Sequence, residues 1–369
     1  MTFDLIVVGG GASGMIAAGH AAEAGLKVLI LEKMARCARK LRITGKGRCN
    51  ITNTATLNEF FNHIAPNPKF LYPAFKTFFS KELITFMENT LKVPVKEERG
   101  GRVFPVSDNA QDVVDAFYNW NHVNGVMIKT NTIVRDLLFK DSALAGVIDI
   151  ENREYYAPAV IMAVGGKSYP LTGSTGDGYP ILQRYGHTIN PLHPGLVPLV
   201  TKEKDVIDLM GVSLKNVSAS IYVNGKKKYS EFGEMLFTHF GLSGPIILTL
   251  SRIINTFLMP NNTVEISIDF KPALDDETMK ARLIREMELN NRKHFEAVLK
   301  TLFPGKVVSY CAKRIGVPLD KSVSHITAEE RKNLHRFCKD LRFNISGTRP
   351  IEEAIVTAGG VDLKEVQQA

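Results

Sequence analysis

The sequence predicts an α/β fold with a second domain, mixed β-rich and helical, inserted into it, and three observations carry the prediction. An apolar run, Leu5-Ile6-Val7-Val8, feeds straight into Gly9-Gly10-Gly11-Ala12-Ser13-Gly14. A helix of small residues follows and closes on a second apolar run, Val28-Leu29-Ile30-Leu31, which ends in Glu32. From Pro191 the texture changes to proline punctuation, alternating strands and amphipathic helices.

The first element reads as a dinucleotide-binding βαβ unit for mechanical reasons. Gly9 permits the tight strand-to-helix turn, Gly11 lets the backbone come close to a pyrophosphate, and Gly14 allows helix and strand to pack closely. The helix N-terminus then offers free N–H groups to the anion. Glu32 stands eighteen residues past Gly14, where a carboxylate accepts hydrogen bonds from an adenosine ribose. Lys33, Arg36, Arg39, Lys40, Arg42, Lys46 and Arg48 follow directly. Beside such a site their simplest use is electrostatic support of a dianion, with a solvated basic loop as the alternative.

Further along, Asp108 with Gln111 three residues later predicts a capped helix through Val113, Val114 and Phe117. Strands are expected over Val126 to Leu138 and in a pair turning at Asp141-Ser142. Tyr156 to Val164 reads as a buried-type apolar strand ending at Gly165-Gly166. Thr172-Gly173-Ser174-Thr175-Gly176-Asp177-Gly178 then predicts a second ligand-contacting turn, with a plain helix-capping turn over Thr175 to Gly178 as the competing reading. Ser218 to Val223, the Asn224-Gly225 hairpin signal and the alternation of Val264 to Phe270 predict antiparallel strands. Asp275 to Phe303 and Thr327 to Leu341 predict amphipathic helices, the second opened by a Thr327…Glu330 capping box. The boundaries drawn are 1–190 for the first part of the nucleotide-binding domain, 191–345 for the insertion, and 346–369 for the return.

A chain of 369 residues with 44% hydrophobic content is long enough for two domains and a large core. No apolar run approaches a membrane span, and the first strand starts almost at Met1, leaving no room for a secretory signal, so a cytoplasmic location is expected. Cys37, Cys49, Cys311 and Cys338 form no CxxC pair and no metal-ligand spacing; free thiols and no metal site are expected. The net charge of +8 invites a nucleic-acid reading. No RNA-recognition signature or aromatic-interleaved basic stretch accompanies it, so the expected partner is a small molecule.

Several blocks together resemble a family. They are Gly9 to Gly14 with Glu32, Leu41 to Asn53 (LRITGKGRCNITN), Gly100 to Pro105, Gly165-Gly166 with Thr172 to Gly178, Met235 to Pro245 (MLFTHFGLSGP), and Thr357-Ala358-Gly359-Gly360-Val361. In this order, over nearly the whole chain, they resemble the bacterial BaiN/aminoacetone-oxidase-like flavoproteins, also called YhiN-like. The resemblance implies a glutathione-reductase-type FAD-binding Rossmann domain with an inserted substrate-side domain, and FAD as the nucleotide held by Gly9 to Gly14. It further implies that Gly9, Gly11, Ala12, Ser13 and Gly14 hold the pyrophosphate and that Glu32 and Lys33 flank the adenosine ribose. Lys40, Thr44, Gly45, Arg48, Cys49 and Asn50 would run along the extended flavin, and Val134 would meet the adenine by its backbone. Gly165, Gly166, Thr175, Gly176 and Asp177 resemble the flavin-proximal loop of fumarate-reductase-like flavoproteins.

Flavin chemistry asks little of a protein beyond orientation, a tuned field near the ring and sometimes a proton donor. The candidates are Arg48 as a cation for a reduced flavin or an enolate, Cys49 as a thiol near the ring, and Tyr169 and His239 as proton donors. Each has a bland alternative: a structural contact for Arg48, a small buried hydrophobe for Cys49, a satisfied core histidine for His239. Arg102 orients an anionic substrate or pins a loop. The family continues past Thr357 to Val361 into a strand, a glycine-rich turn and a helix directed at the flavin, and weakened FAD binding is the expectation for a chain ending at Ala369.

The expected activity is hydride transfer between FAD and a small organic substrate, reduction of an enone among the options, with NADH or NADPH as a transient donor since no second GxGxxG follows a strand. Beside it stand an amine oxidase using dioxygen, a flavin-dependent tRNA-modifying or RNA-binding protein motivated by the charge, and a non-catalytic remnant.

Overall fold

The computed structural model describes residues 2–64 and 67–367. The chain divides into two compact units, Met1–Leu192 with Gly359–Ala369 and His193–Ala358.

In the first unit, strand β1 (Leu5–Val8) is followed by helix α1 (Ala12–Glu23) and strand β2 (Val28–Leu31). All eight strand residues are buried, as befits parallel strands with no solvent face. A short helix, α2 (Arg39–Ile43), and a longer one, α3 (Ala110–Val123), come before strand β3 (Met127–Lys129) and strand β4 (Ala159–Met162). The sheet is parallel in the order β4-β1-β2-β3. Gly19 of α1 lets Trp120 of α3 lie against it: a Cβ there would fall 2.1 Å from the indole ring.

Two expectations are corrected here. The cap of α3 is Asn109, whose side chain accepts from the Gln111 N–H, and not Asp108, which is turned away at φ +55° to meet two cations. Tyr156 to Val164 is not one buried strand. Glu154–Tyr156 belongs to an antiparallel ribbon with Val134–Lys140 and Ala143–Asp149, and β4, at the sheet edge, alternates exposed and half-buried residues. The ribbon does turn at Asp141-Ser142, both at positive φ, which matches the twist of the flanking strands.

The second unit is built on a closed barrel of six strands: β5 (Leu199–Thr201), β6 (Ser213–Val223), β7 (Lys226–Phe237), β8 (Gly241–Ser243), β9 (Val264–Asp269) and β10 (Leu341–Thr348), in the order β5-β8-β7-β6-β9-β10. Asn224-Gly225 makes the β6–β7 turn with both residues at positive φ. The predicted helix from Asp275 to Phe303 is two, Asp276–Leu289 and Phe295–Leu302, broken where the Asn290 amide folds back onto the Glu286 carbonyl. The Thr327 box opens helix α5 (Ala328–Lys339) with both reciprocal bonds made. The boundary placed at 345/346 is displaced because β10 runs on to Thr348 to pair with β5; the chain re-enters the first unit at Gly359.

Candidate dinucleotide site

Strand β1 ends in a turn that only glycine can make. Gly9 has φ +103°, and a Cβ there would lie 2.5 Å from the Ala163 carbonyl oxygen; a Cβ on Gly14 would meet the Gly9 oxygen at 2.0 Å. Gly11 differs, for a Cβ on it meets nothing within 4 Å. It borders a cavity of about 430 Å³ at the carboxyl ends of β1 and β2, a volume suited to a ligand. Gly11 caps α1 with extended backbone and no side-chain bond. The first-turn N–H groups, those of the cavity-lining Ala12 and Ser13 among them, therefore have no intrahelical acceptor and present partial positive charge.

The charged side chains follow from the end of β2. Glu32, 8% exposed, accepts from the Gly10 N–H at 2.7 Å and the Met34 N–H at 2.8 Å, which fixes its carboxylate at the cavity wall with lone pairs to spare for a hydroxyl. Lys33 extends its ammonium to Asp177 and to the Thr175 hydroxyl, 2.5 Å from each. Burial alone would raise the Asp177 carboxyl, yet hydrogen bonds from Lys33 and Thr175 with the Lys33 charge hold it below the ordinary carboxylate value. The Lys40 ammonium donates to the Ser168 carbonyl at 2.9 Å, and burial lowers its pKa. Arg36 and Arg39 also line the cavity. Four cations thus face two carboxylates there, an excess of two positive charges that matches a dianionic pyrophosphate.

Of the residues predicted from sequence, Gly9, Gly11, Ala12, Ser13, Glu32, Lys33, Lys40, Thr44, Val134, Gly165 and Asp177 line this cavity. Gly14, Gly45, Asn50, Gly166, Thr175 and Gly176 do not; Gly14 packs helix on strand, and Thr175 serves Lys33 and Asp177. Asp177 is the N-cap residue of helix α4 (Gly178–Arg184), but its carboxylate makes no capping bond and takes hydrogen bonds from Lys33 and Thr175 instead.

The chemical candidates fare differently. Arg48 lies outside the cavity lining, bonded to Glu98 and to Asp108 and stacked over Phe104, so its guanidinium is a structural tie. Cys49 is fully buried, and burial pushes its thiol up to about 11, which makes it a small apolar residue and not a nucleophile. Tyr169 is exposed, with φ +52°, and does not line the cavity. His239 belongs to the second unit and is exposed, so it is no core histidine. Arg102 is exposed and donates to the Arg99 carbonyl, pinning its own turn.

Sequence reasoning missed Thr132 and Ile133, which line the cavity just before Val134, whereas Thr172 to Ser174 line it in the turn expected to contact a ligand. A signal existed for the latter in the glycine-rich turn. None existed for Thr132, which reaches the site because its N–H bonds the Glu32 carbonyl. Among the described residues no helix is long and apolar enough to cross a membrane, and no cluster of side chains could hold a metal ion.

A parallel sheet with a glycine turn, a buried carboxylate at the end of its second strand and a cationic cavity defines a dinucleotide-binding oxidoreductase of the FAD-dependent Rossmann class. Residues 3–369 match the family described as HI0933-like protein Rossmann domain, and the chain belongs to that family. It is 30% identical over 98% of its length to the 3-dehydro-bile acid delta(4,6)-reductase of Clostridium scindens, covering 87% of that protein. It is 28% identical over 99% of its length to the ribosomal RNA dihydrouridine synthase of Escherichia coli, covering 86% of it. A solved structure, the 3-ketosteroid delta1-dehydrogenase from Sterolibacterium denitrificans, aligns with a TM-score of 0.43 at 13% identity over 58% of this chain and 62% of that one.

Proposed function

We propose that the cavity holds FAD in an extended pose and that the protein reduces a carbon–carbon double bond conjugated to a carbonyl in a small organic substrate, with NADH or NADPH as a transient donor. The observation that carries this reading is the cavity itself: the open Gly11, the uncapped first turn of α1, the fixed Glu32 carboxylate and two excess positive charges fit a ribose and a pyrophosphate. Glu32 would hold the adenosine ribose, Ala12 and Ser13 the pyrophosphate, and Val134 would border the adenine. The Lys33–Asp177 pair would hold the Gly173–Gly178 turn in place at the far wall. When bound and reduced, FAD supplies a hydride to the β-carbon of such a substrate, whose α-carbon takes a proton.

The relatives favour this bond type. One is named for reducing a conjugated bile acid, the other for making dihydrouridine, which is uridine with the ring double bond beside its carbonyl saturated. The reading places the protein in the bacterial cytoplasm, where reduced nicotinamides are available.

A second reading takes the uracil ring of an RNA as substrate. It is favoured by the net charge of +8 and by the β6–β7 tip, where Lys226, Lys227 and Lys228 are exposed beside Tyr229 and the 64% exposed Phe232. Anaerobic stopped-flow reoxidation of the dithionite-reduced holoprotein separates the readings. Rapid recovery of the flavin bands with a steroid enone, and none with a ribosomal RNA transcript, is the result expected. The reverse pattern selects RNA, while recovery with dioxygen after reduction by small amines, and with neither alkene, would replace both by an amine oxidase.

A further inference from the structure

Between two buried anchors lies a segment rich in charge and poor in core. At one end Cys37 and Ala38 are buried, and the backbone N–H of each is tied down, Cys37 to the Tyr118 hydroxyl at 2.7 Å and Ala38 to the Gly10 carbonyl at 2.8 Å. At the other end Cys49 is buried, its N–H on the Thr44 carbonyl at 2.9 Å. Arg39–Ile43 and Thr44–Gly47 between them contain no buried residue and no side-chain cap; only Leu41 rests partly on the core. Ala38, Lys46 and Cys49 all sit in left-handed backbone at φ +58°, +61° and +63°, a region that disfavours residues with a Cβ.

From Arg36 to Arg48 there are six cations and no carboxylate. Arg48 is tied to Glu98 and Asp108, and Lys40 to a carbonyl. Arg36, Arg39, Arg42 and Lys46 make no ion pair among the described residues, and of these four it is Arg36 and Arg39 that line the cavity. Strained backbone, little burial and like charge together describe an element near the low end of local stability. A dianion in the cavity relieves the repulsion and gives both guanidinium groups a partner.

We propose that Arg39–Arg48 is a strap, hinged at its buried ends, that a pyrophosphate-bearing dinucleotide draws closed through Arg39, with Arg36 just ahead of the first anchor facing the same anion. The proposal rests on reading the cavity as a dinucleotide site. Without the anion the strap opens locally while the sheet stays folded; with it the strap is held over the cavity wall.

Limited trypsin digestion of the full chain tests this, since the strap offers cuts after Arg39, Lys40, Arg42, Lys46 and Arg48, and the exposed Lys226–Lys228 tip serves as an internal reference. Saturating FAD is expected to slow strap cleavage by about tenfold or more and leave the tip unchanged, with millimolar inorganic pyrophosphate giving weaker protection at the same bonds. The double variant Arg36→Gln, Arg39→Gln keeps four cut sites; it should raise the FAD dissociation constant by about tenfold or more, flatten its salt dependence and lose the protection. FAD that binds, shown by its shifted visible spectrum, without slowing strap cleavage would overturn the strap and leave the FAD reading intact. Protection by pyrophosphate with no FAD binding would support the strap and remove FAD. Protection by neither, or equal slowing at the tip, would sink the strap.

Discussion

Gly11 and Gly14 belong to one motif and do different physical work, and a methyl group tells them apart. At Gly14 the added carbon would press on the Gly9 carbonyl at 2.0 Å, a backbone atom that cannot give way, whereas at Gly11 it points into open space at the cavity. Gly11→Ala is therefore expected to keep the wild-type unfolding temperature and lose FAD, while Gly14→Ala loses the fold; circular dichroism melting beside flavin absorbance on both variants checks the pair. Asp177 carries a pH signature. Its carboxyl is held low in the folded state, despite burial that would raise it, by Lys33 and Thr175. A depressed carboxyl stabilises the fold above its unfolded value, near pH 4, and loses that contribution as pH falls through the lower folded value. The difference in melting temperature between wild type and Asp177→Asn should be constant above about pH 5 and shrink below about pH 4; a difference independent of pH would show that the Lys33 bond carries no charge component. At this scale the sequence was a good guide to backbone chemistry, because the glycines and Glu32 act through local geometry. It misled for Arg48, whose partners Glu98 and Asp108 lie fifty and sixty residues away and leave no local trace.

Elements were legible where their signals are local. The Thr327 box is the clearest: its hydroxyl accepts from the Glu330 N–H at 3.2 Å, and the Glu330 carboxylate accepts from the Thr327 N–H at 2.8 Å. Thr327→Ala should cost about 1 kcal/mol, a drop of roughly 2–4 °C in the melting temperature of the unit that contains it, with flavin content unchanged. The same reasoning chose wrongly at the start of α3, where Ser107-Asp108-Asn109 offers three capping residues in a row and tertiary charge decides among them. Lys96 first, then Arg48, draws Asp108 away and holds its carboxyl below the ordinary value, leaving the cap to Asn109. The break at Asn290 did carry a local signal, the polar run Asn290 to His294, where the Asn290 side-chain amide and backbone N–H both turn back to the Glu286 carbonyl and close the first helix.

At the scale of the molecule, the parallel sheet could be read from two apolar runs and a glycine turn, but the barrel could not. Two of its strands, β5 and β8, have three residues each, too few for a periodic signal, and closure depends on the pairing of β5 with β10 across the whole insertion. The consequence of that closure is thermodynamic. The main core of the second unit is drawn wholly from residues between Leu199 and Ile345, while the two cores of the first unit use residues between Phe3 and Ala157. Separate cores make separate cooperative units. A ligand that binds one native unit stabilises that unit by mass action, about 2.7 kcal/mol at a hundred times its dissociation constant. Differential scanning calorimetry should therefore show two transitions, of which FAD raises one and leaves the other in place, and the excised segment His193–Ala358 should reproduce the unmoved transition alone. A single transition that moves as a whole with FAD, together with an excised segment that fails to fold, would mean that the barrel depends on the nucleotide-binding unit for its stability.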